Sequence, residues 1–164
     1  ENSSGNLTAT NNTIKQNLKS WLNKSKMLND NIDILDAIII NIGFSYEIIV
    51  DPTTDKNIVL NNVQTALEQH TAEKMYISEP FYLTTIYNVI NKVPGVIDTT
   101  KVEPILKLGP TYSGAPVSID ELKSKDGTFL KAPKNVIYEI KFPTRDIRGT
   151  AKWSKGFTLQ KTIR

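Results

Sequence analysis

Ile32-Asp33-Ile34-Leu35-Asp36-Ala37-Ile38-Ile39-Ile40-Asn41-Ile42-Gly43-Phe44-Ser45-Tyr46-Glu47-Ile48-Ile49-Val50 is the stretch on which the fold turns. Ile32, Ile34, Ile38, Ile40, Ile42, Phe44, Tyr46, Ile48 and Val50 fall on even positions, while the odd ones include Asp33, Asn41, Gly43, Ser45 and Glu47. Successive side chains of a strand point to opposite faces, so this period of two predicts one long strand with a single buried face. Asp36 breaks the even set, and Gly43 marks a candidate bulge.

Downstream, Asp51-Pro52-Thr53-Thr54 stops the strand and caps a helix over roughly Asp55–Lys74, with Val59, Val63, Ala66-Leu67 and His70 on one stripe. A second helix is expected from Ser78-Glu79-Pro80, with serine as its cap and proline in its first turn, continuing through Phe81, Leu83, Ile86, Val89-Ile90 and Val93. Pro94-Gly95 ends it, and Val96 to Leu108 reads as a strand on which Pro104 favours an edge or a bulge. Strand, helix, helix, strand makes an α+β core of two layers over residues 31–108.

Either side of that core the texture changes. Residues 1–30 join an Asn/Ser/Thr-rich start to an amphipathic helix reaching about Met27, whose narrow stripe is Ile14, Leu18, Trp21 and Leu22. Residues 109–164 carry turn signals at Gly109-Pro110, Gly114-Ala115-Pro116 and Lys125-Asp126-Gly127, and a short helix over Ser118–Ser124. Strands over Asn135–Phe142 and Ala151–Leu159 complete what reads as an extended, β-rich arm. With no Met at Glu1, no signal-peptide pattern and an alternating end at Thr158–Arg164, the sequence reads as a fragment of a longer protein.

The chain's net charge of +3 is lopsided. From Lys131 onward nine Lys/Arg face only Glu139 and Asp146, a net of +7, which leaves the first 130 residues at −4. A basic tail suits an acidic protein neighbour, nucleic acid, or nothing beyond solvent.

Chemistry is hard to find. With no cysteine and one histidine among 164 residues, there is no ligand set for zinc or another transition metal, and no cofactor is expected. The spaced Asp30/Asp33/Asp36 trio lacks the glycine and closing glutamate of a calcium loop. His70, the sole candidate base, sits on a helix stripe as a structural histidine would, and there is no Gly-x-Ser-x-Gly elbow. No phosphate-binding glycine loop appears, and no run of apolar residues approaches the ~18 a membrane helix needs. A hydrolase or lyase built on two carboxylates stays open, though nothing singles out a pair. The expectation is a protein that is not an enzyme.

Surface is where the sequence is richer. Leu18, Trp21 and Leu22 need a partner surface, and Arg145, Arg148, Trp153 and Phe157 place aromatic rings among cations. Tryptophan and arginine dominate protein-interface hot spots, so these seven residues are the candidate protein interface. Basic residues interleaved with aromatics also suit single-stranded nucleic acid, the alternative reading, but no nucleic-acid module signature accompanies them.

Met75-Tyr76-Ile77-Ser78-Glu79-Pro80-Phe81-Tyr82-Leu83-Thr84-Thr85-Ile86-Tyr87-Asn88-Val89-Ile90-Asn91-Lys92-Val93-Pro94-Gly95-Val96-Ile97-Asp98, together with the long strand before it, resembles the baseplate J-like family found in the baseplate wedge of T4-like contractile phage tails. The resemblance covers about residues 13–108 and is weak beyond Gly109. It implies a structural, non-catalytic virion component of the tail baseplate, assembled in the host cytoplasm. Its implied partners are copies of itself, as a dimer or ring, and other baseplate wedge and tail proteins. Nucleic acid and membrane are not among them.

Overall fold

A computed structural model of the protein describes residues 6–27, 30–73, 75–115 and 117–154. The decisive strand, β1 (Ile38–Val50), is the centre of a four-stranded mixed sheet. Its even residues Ile40, Ile42, Phe44, Tyr46, Ile48 and Val50 are all buried, as their spacing predicts. The strand is shorter than expected, however, because residues 32–37 have no ladder partner and lie outside it. Nor is Gly43 a bulge: it pairs in register with Ile105, and the irregularities fall between Glu47 and Ile48 and between Ile49 and Val50.

The helix α2 (Lys56–Thr71) starts at Asp55, whose carboxylate accepts the Asn57 N–H at 2.8 Å. Val59, Val63 and Leu67, one turn apart, are its buried residues, packed with the even face of β1. The next helix, α3, runs Leu83–Asn91 and buries Leu83, Ile86 and Ile90 in the same layer. It does not start at Ser78. That residue has φ 66°, outside the helical region, and the Glu79 N–H closes a turn onto the Tyr76 carbonyl. After Pro80 the chain forms a two-residue strand, β2 (Phe81–Tyr82), before the helix begins with Tyr82 at its cap.

Pro94-Gly95 reverses the chain as expected. Gly95 has φ +91°, and a Cβ there would stand 2.7 Å from a Val59 methyl, so only glycine fits. The chain returns as β3 (Val96–Leu106), antiparallel to β1 from Val50↔Val96 to Ile42↔Leu106. Pro104 sits on this edge strand, and the Val102 N–H is met by the Tyr87 hydroxyl at 2.9 Å, so the edge offers little to a foreign strand.

A short helix, α4 (Ile119–Leu122), and β4 (Phe129–Leu130), which pairs with β2, flank the expected turn at Lys125-Asp126-Gly127. The expected arm is then corrected. β5 (Val136–Glu139) and β6 (Ile147–Trp153) run parallel to β1, in registers Ile38↔Val136 and Phe44↔Ile147, and extend its second edge one after the other. Val136, Tyr138, Ile147 and Ala151 are buried in the core. Apolar residues alternating along a strand need a sheet to join, and β1 had one free edge. The short turn α5 (Pro143–Asp146) separates the two strands. The architecture is α+β, with α2 and α3 covering one face of the sheet.

Candidate protein interface

The first helix, α1, spans Asn12–Leu22, ending before Met27. Asn11 caps it by accepting the Thr13 N–H at 3.0 Å. None of its residues is buried: Ile14 is 58%, Leu18 44% and Trp21 64% exposed, and Leu22 is half-buried. What ties it to the rest of the chain is polar. Lys15 meets Asp36 at 2.5 Å and Lys19 meets Asp33 at 3.4 Å. The Lys15 ammonium holds the Asp36 carboxyl below its ordinary pKa, first through the hydrogen bond. Leu35 (84%) and Met27 (79%) add to the exposed apolar surface nearby in sequence. Large apolar side chains gathered on one exposed helix are the informative exception to an otherwise mixed surface.

Arg145 and Arg148 have other company. Asp146, 1% exposed, accepts the Tyr112 hydroxyl at 2.5 Å and the Phe142 N–H at 3.1 Å, with the Lys107 ammonium at 3.7 Å. The Arg145 guanidinium lies 4.4 Å over the Phe142 ring and 5.2 Å over Tyr112, and donates to the Tyr112 hydroxyl at 2.7 Å. Burial and the bond to Asp146 both raise the Tyr112 pKa, burial more. This cluster crosses β1 at Gly43, where a Cβ would stand 2.3 Å from the Asp146 carbonyl oxygen. Beside it Asn41 accepts the Ser113 N–H at 2.6 Å and donates to Glu139 at 2.7 Å, and Glu139 accepts the Leu7 N–H at 2.6 Å. Both networks fasten loops over the odd face of β1. The Asp146 groups converge on one another, whereas Glu139 and Leu7 of the second network also line a cavity.

Arg148 stands opposite Ser45 on the same odd face and donates to the Arg145 carbonyl at 3.4 Å. Trp153, 49% exposed, ends β6 with the Lys56 ammonium 5.8 Å from its ring. Phe157 lies outside the described residues. The candidate residues therefore fall in separate places: α1, the Asp146 cluster, the open sheet face and the far end of β6. On the basic side Lys101, Lys107, Arg145 and Lys152 stand 2.7–3.8 Å from a carboxylate, and Lys152 lowers the Glu47 pKa chiefly by its hydrogen bond. From Lys131 onward, Arg145 and Lys152 are the cations set beside a carboxylate among the described residues, while Lys141 and Arg148 donate to the Thr111 and Arg145 carbonyls.

Sequence reasoning missed a concave feature. A cavity of about 420 Å³ opens at the C-terminal end of α2, lined by Leu7, Ala72, Met75, Tyr76, Tyr138 and Ile140 among others. A smaller one of about 160 Å³ shares Thr71, Glu73 and Met75 with it and continues past His70 to Tyr82. The apolar Met75-Tyr76-Ile77 run after a helix was the available signal. Among the described residues no group of three or more His, Asp or Glu is placed to hold a metal ion, and no helix is long and apolar enough to cross a membrane.

Compared with known proteins, the chain matches no family model and no curated protein sequence.

Proposed function

We propose that this chain is a structural subunit of a phage tail baseplate, acting by association with copies of itself and by docking other tail proteins. One observation carries the binding role: α1 presents Ile14, Leu18 and Trp21 to solvent and buries none of its residues. An isolated helix of 11 residues is marginal in water, so such a helix draws its stability from a partner surface. What points to this particular assembly is the resemblance read in the sequence of residues 13–108, which no family-model match accompanies, and no catalytic role is part of the reading. Sedimentation over a concentration series tests it. Association that strengthens with concentration is expected, and a strict monomer at the highest concentration reached would count against self-association.

A further inference from the structure

We infer that the apolar stripe of α1 docks into the groove at the C-terminal end of α2 on a second copy of this chain. The inference rests on the self-association just proposed and names the two surfaces that meet.

Shape is the first argument. The stripe is a convex row of Ile14, Leu18 and Trp21 at helical spacing, the pattern by which a helix reads an apolar groove. The groove is concave and walled by Leu7, Met75, Tyr76, Tyr138 and Ile140, and its 420 Å³ has room for an indole ring.

Charge is the second. Residues 12–27 carry Lys15, Lys19, Lys24 and Lys26 and no acidic residue. The two adjoining cavities are lined by the carboxylates of Glu73, Glu79 and Glu139, of which Glu79 accepts the Tyr76 N–H and Glu139 the Leu7 N–H. The pairs Lys15–Asp36 and Lys19–Asp33 are partly exposed to water, so a partner's carboxylates can compete for the same ammonium groups. Within one chain those pairs hold α1 elsewhere, while Leu7, a few residues before the helix, lines the groove. The occupant we assign, on shape and charge together, is the helix of another copy.

A contact between two unlike surfaces has a signature in mixing experiments. Trp21→Asp spoils the helix and leaves the groove, whereas Ala72→Trp fills the groove and leaves the helix. Both positions are exposed, and circular dichroism would confirm that each variant folds; Leu18→Lys and Tyr76→Arg serve as a second pair. By sedimentation equilibrium each variant alone is expected to weaken association at least tenfold. An equimolar mixture should regain association, because the intact helix of one variant meets the intact groove of the other. If Trp21→Asp dissociates the protein while Ala72→Trp does nothing and mixing rescues nothing, α1 packs on another surface and the inference falls. If the wild-type chain associates and neither variant matters, the inference also falls while self-association stands. A wild-type chain that stays monomeric overturns both.

Discussion

α1 and α2 are both capped, amphipathic helices, and their fates differ. α2 turns Val59, Val63 and Leu67 into the core and becomes one layer of the fold. α1 carries Ile14, Leu18 and Trp21 at comparable spacing and buries none of them. An apolar stripe shows that a helix needs a partner surface; it does not say which molecule supplies it. For α2 the supplier is the core it shares with the sheet, above all β6, and with α3. For α1 the described chain supplies two ion pairs, to Asp33 and Asp36, and partial cover of Leu22, while Ile14, Leu18 and Trp21 stay exposed.

The sharpest way to break this contrast is to make the same change on both helices. Leu67→Ala removes a fully buried side chain and should cost about 3 kcal/mol, read as a lower denaturant midpoint. Leu18→Ala should move the monomer's stability by no more than about 0.5 kcal/mol. Equal losses would mean that α1 is packed against its own chain after all.

Alkaline titration probes the core side of the comparison. Burial pushes the hydroxyls of Tyr46 and Tyr138 up to about 12, against an unfolded value near 10. Below pH 10 both rings are protonated in either state, and their burial carries no pH penalty. Between about pH 10 and 12 only the unfolded chain releases the protons, so stability falls, by on the order of 2 kcal/mol per ring. Urea unfolding at pH 9 and 11.5 should show the loss, and Tyr138→Phe should reduce it. A flat profile would show that neither ring is held protonated by the fold.

How much of this was written in the sequence depends on whether the cause is local. The even set of β1 from Ile40 to Val50 and the stop at Pro94-Gly95 are local patterns, and they hold in the structure; the cap expected within Asp51–Thr54 falls one residue later, at Asp55. Ser78 failed because its helix-starting pattern competes with a turn in which the Tyr76 N–H binds the Glu79 carboxylate, and with a bond from the Ser78 N–H to Val136, far along the chain. The arm failed for a related reason: the strands at 136–139 and 147–153 pair with a segment about a hundred residues earlier, which no local window contains. Asn41 and Gly43 on the odd face of an apolar strand were a readable hint that something crosses there. Only the pairing reveals that it is Ser113 and Asp146.

The caps allow a finer test. Asp55→Ala should lower global stability by about 1 kcal/mol, since α2 is part of the cooperative core. Asn11→Ala removes the corresponding bond from α1, and should raise amide exchange over residues 13–22 while leaving the global midpoint unchanged. If Asn11→Ala moved the midpoint as far as Asp55→Ala, α1 would belong to the same cooperative unit as the sheet.

The smallest effect separates the two helices without any substitution. The ion pairs of α1 are partly exposed, so raising salt from about 0.05 to about 0.5 M should screen them and speed exchange of α1 amides by less than about tenfold. Amides of α2, held by apolar burial, should not respond in the same direction. Protein concentration should act on α1 in the opposite sense, because a helix whose stripe is covered by a second copy gains protection by mass action. Salt-sensitive exchange at low concentration, with protection returning at high concentration, is what a helix waiting for an intermolecular partner must show. Exchange indifferent to concentration would leave α1 a solvated helix, and the need for a partner would lose its physical ground.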